Sequence, residues 1–364
     1  MSITQQQVEH ALKNFVDPYL NCDWLTAKAV SRIEVTANTV AFDVVLGYPA
    51  KGCQQALLAA CKAKLADQLS LAADQITLNL TWQIQPHAVA PGLKSMANIK
   101  NIIAIASGKG GVGKSTTAVN LALALQLDGA QVGILDADIY GPNQPHMLGV
   151  TERPTLKDEK GLIPVVRYGV QSMSIGYLIA IETPMVWRGP MATRALQQLL
   201  FDTQWQNLDY LIVDLPPGTG DIQLTLSQKI PLSGAVIITT PQEIALLDAR
   251  KGLEMFRKVR VPVLGVVENM SDYICSHCEH REAIFGTGGA ERLAKECNTE
   301  LLGQLPLAMR IRIDADNGCP TVIAAPESEL AQRYRHIARC MAGRLARQSR
   351  DFMHKFPTIV VEHN

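Results

Sequence analysis

Two hydrophobic rhythms divide this chain. In its first quarter, Ile76, Leu78, Leu80, Trp82 and Ile84 alternate with polar residues, the period of a half-buried strand. Val8, Leu12 and Phe15 recur at helical spacing within residues 4–15, and Leu57, Leu58, Cys61, Leu65 and Leu69 do so within 54–69. Residues 32–46 read as a hairpin turning at Ala37-Asn38. Together these predict a small α+β unit over residues 1–85. Residues 86–98 carry Pro86, Pro91 and Gly92 but no apolar period, and read as a linker. From 99 to 364 the rhythm changes. Apolar runs at 101–107, 131–135, 209–214, 234–239, 262–267 and 300–305 alternate with helical patterns at 114–127, 192–201, 243–258, 288–297 and 328–347. Strands that are apolar on both faces, set between helices, predict an α/β domain: a mostly parallel sheet covered by helices on both sides. Ligands bind at the carboxyl ends of such strands.

Composition narrows the class. At 364 residues, the length suits about two domains. Lys+Arg and Asp+Glu are both 34, so the net charge is zero and offers no field for nucleic acid or an acidic membrane. No apolar run approaches the roughly 20 residues that span a bilayer. The Gln-rich N-terminus lacks the order of a signal peptide. Eight cysteines at irregular spacing do not make a disulfide scaffold, so a cytoplasmic setting with reduced thiols is expected.

The chemistry concentrates after the first strand of the larger domain. Residues 107–117 read Ser-Gly-Lys-Gly-Gly-Val-Gly-Lys-Ser-Thr-Thr, and Gly108, Gly113, Lys114 and Ser115 fill the phosphate-loop pattern. Glycines let backbone N–H groups close on phosphate oxygens, and the following helix presents its positive end. Lys114 reaches the outer phosphates, and the Ser115 hydroxyl suits Mg²⁺. Gly108, Gly110 and Gly113 also fit the dinucleotide fingerprint, with Asp136 ending the next strand. A dinucleotide site has no specific use for Lys114-Ser115 or for a later acid. A triphosphate–Mg²⁺ site uses both, and Asp214, at the end of 209–214, supplies the acid. Asp138 is the candidate for orienting the attacking water. Asp136 is placed in the same site, with helix or turn capping as the alternative for all three acids. Gly218 would let the loop after Asp214 sense the γ-phosphate. Lys109 is left over, because the nucleotide already has Lys114.

Far downstream, Cys275-Ser-His-Cys278 forms C-x-x-C. Two thiolates at this spacing grip a soft metal or one edge of an iron–sulphur cluster; a redox pair or half of a zinc site, with His277 or His280, are the alternatives. A four-iron cluster usually takes four cysteines, and Cys297, Cys319 and Cys340 offer no second pair. A second copy of the chain about a C₂ axis completes the set, and Lys109 then has a role as a finger reaching the partner's phosphates.

With its extra lysine, Lys109-Gly-Gly-Val-Gly-Lys-Ser115 resembles the deviant phosphate loop of the MinD/ParA/nitrogenase-iron-protein class. Asp136-Ala-Asp-Ile-Tyr-Gly-Pro-Asn143, Arg188-Gly-Pro-Met191, Asp214-Leu-Pro-Pro-Gly-Thr-Gly-Asp221 and Val267-Glu-Asn-Met270 before C-x-x-C narrow the likeness to the Mrp/ApbC iron–sulphur cluster carrier ATPases, over about residues 99–345. The N-terminal unit, with Val16-Asp17-Pro18, is similar to the iron–sulphur-assembly accessory domain. The resemblance implies a homodimer that hydrolyses ATP slowly, binds a [4Fe–4S] cluster and passes it to apo-proteins, working with a cluster-assembly scaffold. It implies that Lys109 acts across the dimer. Gly110, Gly111, Val112, Gly113, Lys114, Ser115 and Thr116 cradle phosphates, with Ser115 and Asp214 at Mg²⁺. Asn269 reads the adenine edge, and Cys275 and Cys278 hold the cluster. Ser276 departs from the family's common proline. Cys53 is a weak candidate for a reactive thiol and reads better as a packed one.

Other features read as structure. Leu330, Tyr334, Ile337, Met341 and Leu345 make a core stripe. Arg333, Arg335, Arg339, Arg344, Arg347 and Arg350 read as a solvated helix face. The competing functions are a positioning or partitioning ATPase, which wants a basic amphipathic terminus or a basic surface, and a zinc-stabilised nucleotide-binding scaffold.

Overall fold

The computed structural model describes residues 3–36, 38–157, 161–179 and 189–348. Ala37, Arg188 and Arg350 of the motifs above lie outside them. In the N-terminal unit, α1 (Gln5–Lys13) is closed by a reciprocal cap: the Thr4 hydroxyl accepts from the Gln7 N–H, and the Gln7 side chain accepts from the Thr4 N–H. Strands β1 (Val30–Val35) and β2 (Val40–Leu46) form the expected antiparallel pair. After α2 (Gln54–Leu69), strand β3 (Ile76–Trp82) lies parallel to β2. Its alternation holds, with Ile76, Leu78 and Leu80 buried and the residues between them exposed.

The second sheet is built on strands β4 (Ile99–Ala106), β5 (Val132–Asp136), β7 (Val170–Ser174), β8 (Leu208–Asp214), β9 (Gly234–Thr239), β10 (Val263–Ile274) and β12 (Leu301–Leu307). These run parallel in the order β7-β5-β8-β4-β9-β10-β12. The short strands β6 (Val165–Arg167) and β11 (Arg281–Glu282) pair antiparallel with β7 and β10. Every residue of β8 and β9 is buried, as a sheet covered on both faces requires. Ile103 and Ile105 face a core shared with α3 (Lys114–Leu127) and α9 (Glu329–Ala346). Ile102 and Ala104 face a second core with α4 (Gly189–Phe201), α5 (Asp221–Lys229), α6 (Glu243–Lys258) and α7 (Gly289–Glu296). The strand and helix candidates of the larger domain all appear, within a few residues of their expected ends except at the carboxyl end of β10. Among the described residues no helix is long and apolar enough to cross a membrane.

Three departures are informative. Strand β10 runs to Ile274, well past the apolar run 262–267, because pairing with β12 and β11 carries polar residues such as Ser271 and Asp272. The hairpin β6–β7 and helix α8 (Met309–Asp316) carry weak periods and escape the sequence reading. The basic face of α9 is corrected. Tyr334, Ile337, Met341 and Leu345 are core as expected, but Arg339 is only 5% exposed. Its Nε and Nη2 donate to Asp128, the C-cap residue of α3, and Arg335 joins them at 2.7 Å. Arg339 Nη1 also donates to the Tyr19 hydroxyl, and Arg347 to the Leu20 carbonyl. This face of α9 therefore seats the N-terminal unit on the nucleotide-loop helix. Leucine periodicity carries no trace of it.

Candidate functional site

The chain leaves β4 at Ala106 and enters α3 at Lys114, between neighbours β8 and β9, so the loop 107–113 opens at the carboxyl edge of the sheet. Gly113 has φ +81°, and a Cβ there would fall on the Asn269 carboxamide. Gly108 lies so close to the backbone of Asp248 in α6 that a side chain has no room. Gly110 and Gly111 are exposed at the crest, Val112 is buried, and Ser115 and Thr116 are half-buried on the first turn of α3. This is a cradle of backbone amides over a helix N-terminus, the form that takes a phosphate. Two contacts brace it. The Ser107 hydroxyl donates to the Lys109 carbonyl at 2.9 Å, and Asn269 Nδ2 on β10 donates to the Val112 carbonyl at 2.8 Å. The Gly218 N–H donates to the Ser107 carbonyl at 2.9 Å, joining the loop after Asp214 to the cradle. Asn269, expected at the adenine edge, thus has its amide nitrogen engaged with the loop backbone.

Strands β5 and β8 bring the acids to the same place. Asp214 is fully buried. Its Oδ1 lies 2.5 Å from Lys114 Nζ, and its Oδ2 accepts from Gln144 Nε2 at 2.9 Å. Asp136 Oδ2 accepts from the Gln144 N–H at 3.1 Å and the Ser174 hydroxyl at 3.0 Å, and Oδ1 accepts from the Asp138 N–H at 3.2 Å. Burial first, and the neighbouring Asp214 charge second, push the Asp136 carboxyl up to about 7. Burial also raises Asp138, against the pull of the Lys114 cation, and its Oδ1 accepts from the Gly141 N–H at 3.3 Å. A carboxyl moved toward neutrality is a better proton acceptor for a water near the phosphates. Lys114 Nζ lies 3.2 Å from the Ser115 hydroxyl. Ser115 and Asp214 offer the hard oxygens that Mg²⁺ takes, and the cation would neutralise phosphate charge there. Lys109 is half-buried on the loop, and among the described residues its ammonium has no ion-pair partner.

Cys275 and Cys278 lie at the far end of β10. Cys275 N–H bonds to the His280 carbonyl at 3.0 Å, and the Glu279 N–H to the Cys275 carbonyl at 2.9 Å, closing a knuckle between β10 and β11. The thiols are at the surface. Backbone N–H groups of His277 and Cys278, then the Cys278 side chain, hold Cys275 below the ordinary thiol range, which favours the thiolate that binds metal. Among the described residues no three of His, Cys, Asp and Glu come together as a metal site. Cys53 is buried and pushed up to about 12, chiefly by that burial, the environment of a packed thiol.

Comparison with known proteins settles the family. The ParA family of NUBPL-type iron-transfer P-loop NTPases matches residues 98–342. The chain belongs to this family. Its N-terminal residues 5–76 match the iron–sulphur cluster assembly protein family. The iron–sulphur cluster carrier protein of Escherichia coli K12 is 50% identical over 345 residues, covering 93% of this chain and 91% of that protein. The mouse iron–sulphur cluster transfer protein NUBPL is 50% identical over 257 residues, covering 70% of this chain and 81% of that protein. Among solved structures, an Archaeoglobus fulgidus nucleotide-binding protein in complex with ADP aligns with a TM-score of 0.55 at 37% identity, over 64% of this chain and 91% of that one. This NUBPL-type chain is therefore a P-loop ATPase of the ParA kind with an added assembly-type domain. Two residues of the site escaped the sequence reading. Gln144 directly follows the Asp136–Asn143 run, a position that hinted at it; Ser174, on a weakly patterned strand, had no such signal.

Proposed function

We propose that this ATPase carries a [4Fe–4S] cluster as cargo between two copies of the chain and delivers it to apo-proteins, loaded by a cluster-assembly scaffold. The observation that carries the proposal is one strand: β10 holds Asn269 against the phosphate loop and, six residues on, opens into the Cys275–Cys278 knuckle. At strand rise that is about 20 Å at most, so nucleotide loop and thiolates share one rigid element. Two surface thiolates leave a four-iron cluster two ligands short, and a C₂ partner supplies the others. Lys114 and the loop amides hold the phosphates, Ser115 and Asp214 hold Mg²⁺, Asp138 orients the attacking water, and Lys109 reaches the partner's nucleotide. Zero net charge and the absence of a disulfide framework support work in the cytoplasm, away from nucleic acid and membrane.

The test is anaerobic purification followed by iron and zinc analysis, a visible spectrum and sedimentation. A brown protein with about four irons per two chains supports the reading, provided that Cys275→Ser and Cys278→Ser each abolish the colour and spare ATP binding. Lys109→Ala is expected to lower hydrolysis while ATP still binds. A colourless protein that keeps stoichiometric zinc and refuses reconstitution overturns it.

A further inference from the structure

Gln144 joins the two acidic strand ends of the site, Asp136 through its backbone and Asp214 through its side chain. It is 1% exposed. Its backbone N–H donates to Asp136 Oδ2, and its Nε2 donates both to Asp214 Oδ2 at 2.9 Å and to the Ser115 carbonyl at 3.1 Å. Those two acceptors fix which end of the carboxamide is nitrogen, and they use both of its protons. Its Oε1 is then buried with no hydrogen-bond partner in the protein. An orphaned acceptor is costly, and this one belongs to the carboxamide whose nitrogen donates to the Ser115 carbonyl and the Asp214 carboxylate, on the two residues whose side chains suit Mg²⁺.

We propose that Gln144 is a positioning residue for the Mg²⁺–nucleotide complex. Its NH₂ group fixes the Asp214 carboxylate, and its Oε1 accepts from water in the hydrated cation's shell. Hydrated Mg²⁺ keeps several waters and presents their protons outward, which is the donor Oε1 lacks. The proposal rests on the nucleotide site described above.

The test is calorimetric titration of ADP into the full-length chain, once with Mg²⁺ and once with EDTA, together with Mn²⁺ binding read by electron paramagnetic resonance. Gln144→Met keeps the length of the side chain and removes both polar atoms. It is expected to lose on the order of tenfold in the Mg²⁺-dependent part of ADP affinity, the scale of a hydrogen bond to a charged group. Its affinity in EDTA is expected to stay within about twofold of wild type, since the loop amides and Lys114 are untouched. Mn²⁺ affinity in the ADP complex should fall in parallel. Gln144→Asn, polar but shorter, gives the same reading if the methionine variant fails to fold. An unchanged Mg²⁺ increment in both variants overturns the proposal. So does an equal loss with and without Mg²⁺, which would mean that Gln144 only packs the site. A wild-type chain with no Mg²⁺ increment at all would instead fault the nucleotide site itself.

Discussion

Replacing Lys114 by alanine should destabilise the protein in a way that depends on pH. Lys114 Nζ sits 2.5 Å from Asp214 Oδ1, with side chains 6% and 0% exposed. Without the lysine, Asp214 keeps the Gln144 amide on one oxygen and has the buried Asp136 nearby. Breaking a buried ion pair by removing one partner costs about 3–5 kcal/mol. In a domain of this size, that lowers the melting temperature by roughly 6–20 °C. The sign of the pH effect follows from Asp136. Its folded carboxyl is already raised to about 7 by burial and by Asp214, and the Lys114 charge is one of the influences holding it down. A carboxyl raised on folding contributes stability that is present below its unfolded pKa and lost as pH rises through the folded one. Without Lys114 the Asp136 carboxyl holds its proton to higher pH, so the deficit should be largest near pH 8 and smaller near pH 5.5. Circular-dichroism melts of Lys114→Ala and wild type, without nucleotide, measure it. Lys114→Ala/Asp214→Asn should recover most of the loss, because the stranded charge is gone. A deficit within about 2 °C at pH 8, or one of equal size at both pH values, would refute the reasoning.

Asp138→Asn should lower ATP turnover by about 10²–10⁴-fold, the range for a lost general base, with nucleotide affinity little changed by calorimetry; wild-type turnover removes Asp138 from the chemistry. For Asp136, stability of the nucleotide-free protein should fall as pH rises from about 4 to about 7. Asp136→Asn should flatten that slope in denaturant titrations, while losing about 1–3 kcal/mol for the donors left without an acceptor. Asp128→Ala strands the buried Arg339 and should cost about 3–5 kcal/mol, loosening the N-terminal unit, which limited proteolysis should release sooner than in wild type. A wild-type digestion pattern would mean that other contacts hold the two parts.

The chain's own order of residues determined the phosphate loop, the alternation of buried strands with helices, the convergence of Asp136, Asp138 and Asp214 on one sheet edge, and the C-x-x-C pair. All of these rest on spacing within a few residues or on the rule that ligands sit at carboxyl strand ends. Tertiary structure alone decided what those residues touch. The Asn269 brace on Val112 spans 157 positions, the Arg339 pair with Asp128 spans 211, and the Gln144 bridge to Asp214 spans 70. No local period encodes such contacts. The polar outer half of β10 shows the same limit, since it becomes strand through its partners rather than its hydrophobicity. Periodicity reports which face of an element is buried; it is silent about which distant polar group will meet it there.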